Sequence, residues 1–165
     1  MHLAGGGTTD EFVVDDMSRG DLKVIGWSGS ASHLREVEKQ LNRRDLGEVD
    51  YLVVRDPDGV PVCKGGLDWR AADGVATIWQ LATKGSCQGH GHARRLIAEA
   101  ERRIRDRGLP RARLAVEPDN ARARSLYLHL GYVPVGERET GWDYEQEDGS
   151  MGFYSTTVID MEKPF

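Results

Sequence analysis

The segment Gln88-Gly89-His90-Gly91-His92-Ala93 places two glycines immediately before a run of apolar residues at helical spacing, Ala93, Leu96, Ile97, Ala100 and Ile104. Free main-chain N–H groups at a helix start attract anions, and glycines let a pyrophosphate approach the backbone closely. The helix dipole adds about 0.3–1 kcal/mol per nearby anionic group, so direct hydrogen bonds must supply most of the grip. Taken alone, the motif is weak, because glycines between a strand and a helix are often only a tight turn. A Walker loop needs Gly, four residues and then Gly-Lys-Ser/Thr, and a dinucleotide fold needs a third glycine and a later acid; both are absent. His90 and His92 lie two apart with no third ligand, so no metal is expected.

A second group follows in Asn120-Ala121-Arg122-Ala123-Arg124-Ser125-Leu126-Tyr127, then Gly131-Tyr132. On a helix Asn120 and Tyr127 share a face with Ala123 between them. Asp119 or Asn120 can cap its first turn, and Tyr127 offers a phenol that stays protonated at neutral pH. A third group, Trp142-Asp143-Tyr144-Glu145-Gln146-Glu147-Asp148-Gly149, sets carboxylates beside aromatics. Read as an exposed loop, it attracts a polycationic amine by charge and cation–π contact; read more simply, it is an acidic hairpin.

The elements that must position these residues are legible from patterning. Glu11 to Asp15 encloses a short strand-like run, and Arg19 to Leu46 reads as two helical stretches broken between Gly26 and Ser32. Tyr51–Arg55 and Val60–Trp69 flank Asp56-Pro57-Asp58-Gly59 and form a hairpin. A turn at Ala72-Asp73-Gly74 leads to a strand over Val75–Thr83. The long helix carries Arg94, Arg95, Glu99, Glu101, Arg102, Arg103 and Arg105 on a face read as solvated, with Glu99–Arg103 and Glu101–Arg105 ion pairs, and Gly108 and Pro110 stop it. A strand over Arg113–Val116, a helix over Asn120–Leu130 and strands over Tyr132–Arg138 and Tyr154–Met161 complete the chain.

The 165 residues, 39% of them hydrophobic, suit one domain. Twenty-seven acids against 22 bases give a net charge of -5, which disfavours nucleic acid and suits a cationic or neutral partner. Two separated cysteines, Cys63 and Cys87, argue against a disulfide framework and for a reducing compartment. No apolar run approaches the roughly 18 residues that span a bilayer, and the N-terminus lacks a basic region followed by an apolar stretch. A soluble, cytoplasmic protein with no membrane contact is expected.

Together the two motifs resemble the GCN5-related N-acetyltransferase (GNAT) family. Its phosphate loop, Gln/Arg-x-x-Gly-x-Gly/Ala, is met by Gln88, Gly91 and Ala93. Its later helix, Asn-x-x-Ala-x-x-Leu-Tyr followed by Gly-Phe/Tyr, is met by Asn120, Ala123, Leu126, Tyr127, Gly131 and Tyr132. The match covers Val75 to Val135; the first half agrees in element order alone. The resemblance implies a mixed α/β (α+β) fold with a mostly antiparallel central sheet of six to seven strands and about four flanking helices. It occupies one domain over 11–165 after a flexible tail over 1–10.

The resemblance also implies acetyl-CoA as co-substrate, with no metal, and a small-molecule or peptide amine as acceptor. Main-chain N–H groups of Gln88, Gly89, His90, Gly91, His92 and Ala93 would hold the pyrophosphate. Leu81, Ala82 and Thr83 would pair with the pantetheine arm, which Asn120 would touch, and Tyr127 would protonate the departing thiolate. An amine with a pKa near 10.4 is neutral roughly once in a thousand at pH 7, a deficit of about 4 kcal/mol, so a base is needed. Relatives that acetylate histones place a glutamate early in the fourth strand, where this chain has Thr77. Asp68 on the preceding strand is one substitute, and waters with main-chain carbonyls are another. Trp142, Asp143, Tyr144 and Glu145 would receive a polycationic acceptor. The missing glutamate also leaves open a non-catalytic acyl-CoA-binding or sensing domain. Homodimers are common among relatives, though no surface in the sequence identifies one.

Overall fold

Leu52 and Val54 face one way and Tyr51 and Val53 the other, and all four are buried, so their strand is covered on both sides. This strand, β2 (Val49–Arg55), is second from one edge of a seven-stranded sheet in a computed structural model that describes residues 11–72 and 74–165. The expected tail over 1–10, and Asp73 of the expected Ala72-Asp73-Gly74 turn, lie outside the described residues.

The other strands are β1 (Val13–Asp16), β3 (Pro61–Ala72), β4 (Val75–Thr83), β5 (Arg111–Val116), β6 (Val133–Glu145) and β7 (Met151–Pro164). Their order is β1-β2-β3-β4-β5-β7-β6, antiparallel except for β4 against β5. Helix α1 (Ala31–Asp45) buries Val37 and Leu41 against Tyr51 and Val53 on one face. Helices α2 (His92–Asp106) and α3 (Ala121–His129) cover the other, where Leu96, Ile97, Ala100, Ile104 and Tyr127 meet Leu52, Val54 and Leu67. The mixed class and strand number match the sequence reading. Three α-helices are found among the described residues, and a 3-10 segment, Arg19–Val24, stands where a further helix was expected.

Two features of the sheet shape the site. Strands β4 and β5 pair only through Val75–Thr77 and Arg111–Arg113 and have no further paired residues, which leaves the outer part of β4 with an unpartnered edge. Opposite Gly65, the β3–β4 register slips between Lys64↔Ala82 and Gly66↔Trp79, so Gln80 and Leu81 form a bulge. Gln80 sits there at φ 55°, unusual for a non-glycine residue.

The expected acidic loop is corrected. Trp142 through Glu145 are strand residues of β6, paired with Tyr154 through Met151 of β7, and only residues 146–150 turn. The carboxylates suggested a loop, yet Thr140, Trp142 and Tyr144 alternate along the segment and favour a strand. Glu101 is corrected as well: it is 6% exposed and does not pair with Arg105. Its carboxylate accepts the Tyr132 hydroxyl at 2.8 Å and the Lys163 ammonium at 2.9 Å, while Arg105 lies over the Phe165 ring. The Glu99–Arg103 pair does form, at 3.4 Å.

Candidate active site

Gly91 caps α2 at φ 80°, and the first bond inside the helix runs from Arg95 N–H to the Gly91 carbonyl. The N–H groups of the preceding turn therefore have no partner within the helix. They open on a cavity of about 520 Å³ lined by the β4 edge (Leu81, Ala82, Thr83), the loop (Gln88, Gly89, Gly91), the α2 start (His92, Ala93) and Asn120 and Tyr127 of the α3 region. Ten of the eleven residues expected to form the cofactor and acid site thus meet in one place; His90 does not line the cavity.

Local structure fixes each contribution. Gly89 also has positive φ, and a methyl added there would come within 3.2 Å of the Arg122 guanidinium. Arg122 donates to the Gln88 side-chain oxygen at 3.4 Å, which sets a cation beside the glycine turn. Arg122 and Arg94 both line the cavity and were not assigned to the site from the sequence, since one fell at a variable motif position and the other on a face read as solvated. The Asn120 side chain accepts the Ala123 N–H at 3.2 Å and so caps α3. That cap keeps its amide nitrogen available to the cavity.

Tyr127 is 7% exposed, and its ring meets Tyr132 edge-on at 6.3 Å between centroids. Its hydroxyl makes no hydrogen bond among the described residues, while burial, with a smaller contribution from Cys63, pushes its pKa up to about 12. Unpaired N–H groups at a helix start, glycines that keep the backbone uncovered and two arginines fit an anionic pyrophosphate. The free β4 edge fits an extended arm bearing amides.

Gly91→Ala tests the cradle. Nothing lies within 4 Å of the added methyl, so any loss comes from the left-handed backbone alone. Strain of about 1–2 kcal/mol is relieved when the loop leaves this conformation. The Kd for coenzyme A, read by calorimetry, is expected to rise about five- to thirtyfold.

A second cavity, about 660 Å³, lies across the β4 bulge. Its walls are Ser30, Ser32, His33 and Glu36 of the α1 region, Trp79 and Gln80 of β4, and Trp142, Asp143 and Tyr144 of β6. Three of the four expected acceptor residues are therefore present. Glu145 is instead engaged by Arg35 at 3.8 Å. Gln80 lines this cavity and Leu81 the first, so the bulge is the seam between them.

Lys64, fully buried, donates to the Gln80 carbonyl at 2.7 Å and to the Tyr51 hydroxyl at 3.1 Å, and Tyr51 in turn donates to the Gln80 side chain at 2.9 Å. Burial pulls the Lys64 ammonium down to about 8. These bonds hold Gln80 in its unusual conformation.

Asp68 joins neither cavity. Its two oxygens take the Arg43 guanidinium at 3.0 and 3.3 Å, and one also accepts the Arg70 N–H at 2.9 Å, which ties β3 to α1. Thr77 pairs with Arg113, the last β4–β5 pair before the two strands part, and lines neither cavity. Among the described residues no cluster of three or more His, Cys, Asp or Glu could hold a metal, and no helix is long and apolar enough to cross a membrane.

The family model described as "Acetyltransferase (GNAT) family" matches residues 23–132. Mycothiol acetyltransferase of Beutenbergia cavernae is 39% identical over 87 residues, 52% of this chain and 28% of that protein. The chain thus spans under a third of that relative's length. A spermidine N-acetyltransferase chimera of Vibrio cholerae SpeG and hSSAT shares the fold with a TM-score of 0.69, at 22% identity over 93% of this chain and 95% of that one. The PaiA N-acetyltransferase of Thermoplasma acidophilum, solved with coenzyme A, gives 0.66 at 17% identity, over 94% and 99%.

Proposed function

The chain belongs to the acetyltransferase (GNAT) family, and from that premise we propose that it transfers the acetyl group of acetyl-CoA to a primary amine of a polycationic small molecule. The observation that carries this reading is the meeting of two unlike cavities at one bulge: an anion cradle on one side of β4, and two carboxylates with three aromatics on the other. Bound acetyl-CoA supplies an activated thioester. The chain's own residues do the rest. N–H groups at the start of α2, with Arg94 and Arg122, hold the phosphates, and the β4 edge at Leu81–Thr83 aligns the arm. Tyr127 holds a proton for the sulfur.

Glu36 and Asp143 attract ammonium groups of the acceptor, and Trp79, Trp142 and Tyr144 offer ring faces to the same charges. Trp142 is braced by Tyr154 directly across the hairpin, with ring centroids 4.7 Å apart. A site with several negative and aromatic groups discriminates by charge count more than by shape.

The test is thiol release from acetyl-CoA with spermidine and an aminoglycoside against a lysine peptide and an arylamine. The polycations are expected to give a kcat/KM at least tenfold above the others, with the advantage shrinking as salt is raised. Equal turnover of neutral and polycationic amines removes the polycation reading, and preference for the acceptor of mycothiol acetyltransferase replaces it. Coenzyme A binding without turnover of any amine would favour a sensing domain instead.

A further inference from the structure

The reading above leaves the amine's proton without a destination, because Asp68 is held by Arg43 and β4 carries Thr77 where a carboxylate would serve. One nitrogen-bearing side chain in the acceptor cavity has no assigned work. His33 stands in the first turn of α1, its N–H held by the Ser30 hydroxyl at 3.3 Å, and its ring is fixed against Gly29, where an added methyl would come within 2.8 Å of it. His33 lines the acceptor cavity together with Gln80, the residue at the seam with the cofactor cavity. Its Nε2 is buried and has no hydrogen-bond partner among the described residues. A buried polar atom without a partner is uncommon in a folded protein and asks for an explanation.

We propose that His33 is the general base that takes the proton of the attacking amine, an assignment that rests on the acetyltransfer reading given above. As the amine lone pair forms the N–C bond, its proton passes to the imidazole. The electron pair of the breaking C–S bond leaves on sulfur, which takes the proton held by Tyr127. The imidazolium returns its proton to solvent through the cavity mouth, and the tyrosinate regains one. The products are an acetamide and free thiol.

The groups around His33 keep it ready for this. Burial and the Lys64 ammonium on β3 lower its pKa below the ordinary histidine value, and Glu36 on α1 opposes them. Asp143 on β6 shares the cavity, and Tyr51 on β2, whose own pKa is raised by burial, stays protonated beside Lys64. The imidazole is therefore neutral at pH 7 and able to accept a proton.

The experiment compares wild type with His33→Gln, using acetyl-CoA with spermidine across pH 5–9. Coenzyme A affinity is measured for both to show that the variant folds. His33→Gln is expected to lose at least a hundredfold in kcat with coenzyme A affinity unchanged. Below the histidine pKa, log kcat/KM of the wild type should fall with a slope one unit steeper than that of the variant, because two protons must then be removed rather than one. Added imidazole should restore part of the variant's rate. A loss under tenfold, or the same slope in both proteins, overturns the assignment while leaving the acetyltransfer reading intact. Absence of thiol release by the wild type with every amine overturns both.

Discussion

Tyr127→Phe is expected to lower kcat by about a hundred- to ten-thousandfold while the Kd for acetyl-CoA stays within about twofold. The phenylalanine ring keeps the edge-on contact with Tyr132 and the packing against the core, and the lost hydroxyl makes no hydrogen bond among the described residues. Folding should be unaffected. What disappears is the hydroxyl proposed to supply the proton, on a residue that lines the first cavity. With its pKa pushed up to about 12, the phenol is protonated throughout the working range, so no alkaline fall in rate should arise from Tyr127 below about pH 11. A phenol so buried is a weaker acid than a free one. A thiolate departing beside Tyr127, as proposed, would share these apolar surroundings, which would raise its proton affinity too and reduce the mismatch. Rapid-mixing measurement of thiol release alongside calorimetric titration separates the two constants. A kcat within threefold of wild type would sink the acid role.

Glu101→Ala should be the most damaging single change to stability among the charged residues discussed. The carboxylate joins three elements: it sits on α2, accepts the Tyr132 hydroxyl just ahead of β6 and accepts the Lys163 ammonium from β7. Its removal strands a buried phenol and a three-quarters-buried cation, with an expected cost of about 3–5 kcal/mol. Lys163 can extend toward water, which points to the lower figure. For a chain of this length that corresponds to a Tm lower by roughly 6–12 °C in calorimetry. Tyr132 packs against Tyr127, so turnover should fall along with stability, whereas Tyr127→Phe separates the two. A Tm change under about 2 °C would mean that the network adds little beyond its own desolvation.

The residues that line the first cavity, proposed to hold the cofactor, were legible in the sequence because their parts are local. Glycine spacing, the apolar stripe of α2 and the Asn120–Tyr127 face each depend on residues within a turn or two of one another. The acceptor half was legible only in part. Trp142, Asp143 and Tyr144 drew attention by type, although their carboxylates disguised a strand. His33 and Glu36 of α1 and Gln80 of β4 reach the same cavity as the β6 residues from elements far apart in the chain, and no short-range pattern brings those elements together. Glu101 was misread for a related reason. Four-residue spacing to Arg105 is real on a helix, but Lys163 and Tyr132 arrive from strands that only the tertiary fold sets beside it. Arg122 acquires meaning only once the glycine turn lies next to α3.

The two ends of β7 live under different constraints. Ile159 through Pro164 have β5 on one side and β6 chiefly on the other, whereas Met151 through Val158 pair with β6 alone. A two-stranded ribbon is marginal by itself, and such outlying segments open at a fraction of the free energy needed to unfold a whole domain. Exposed substitutions there usually shift stability by no more than about 0.5 kcal/mol. The wall proposed to receive the acceptor is thus built on the least expensive part of the sheet to rewrite, and the proposed phosphate cradle rests on a helix whose far face is locked into the core. Descendants of such a scaffold can change what they modify generation by generation while the manner in which they hold their donor stays fixed.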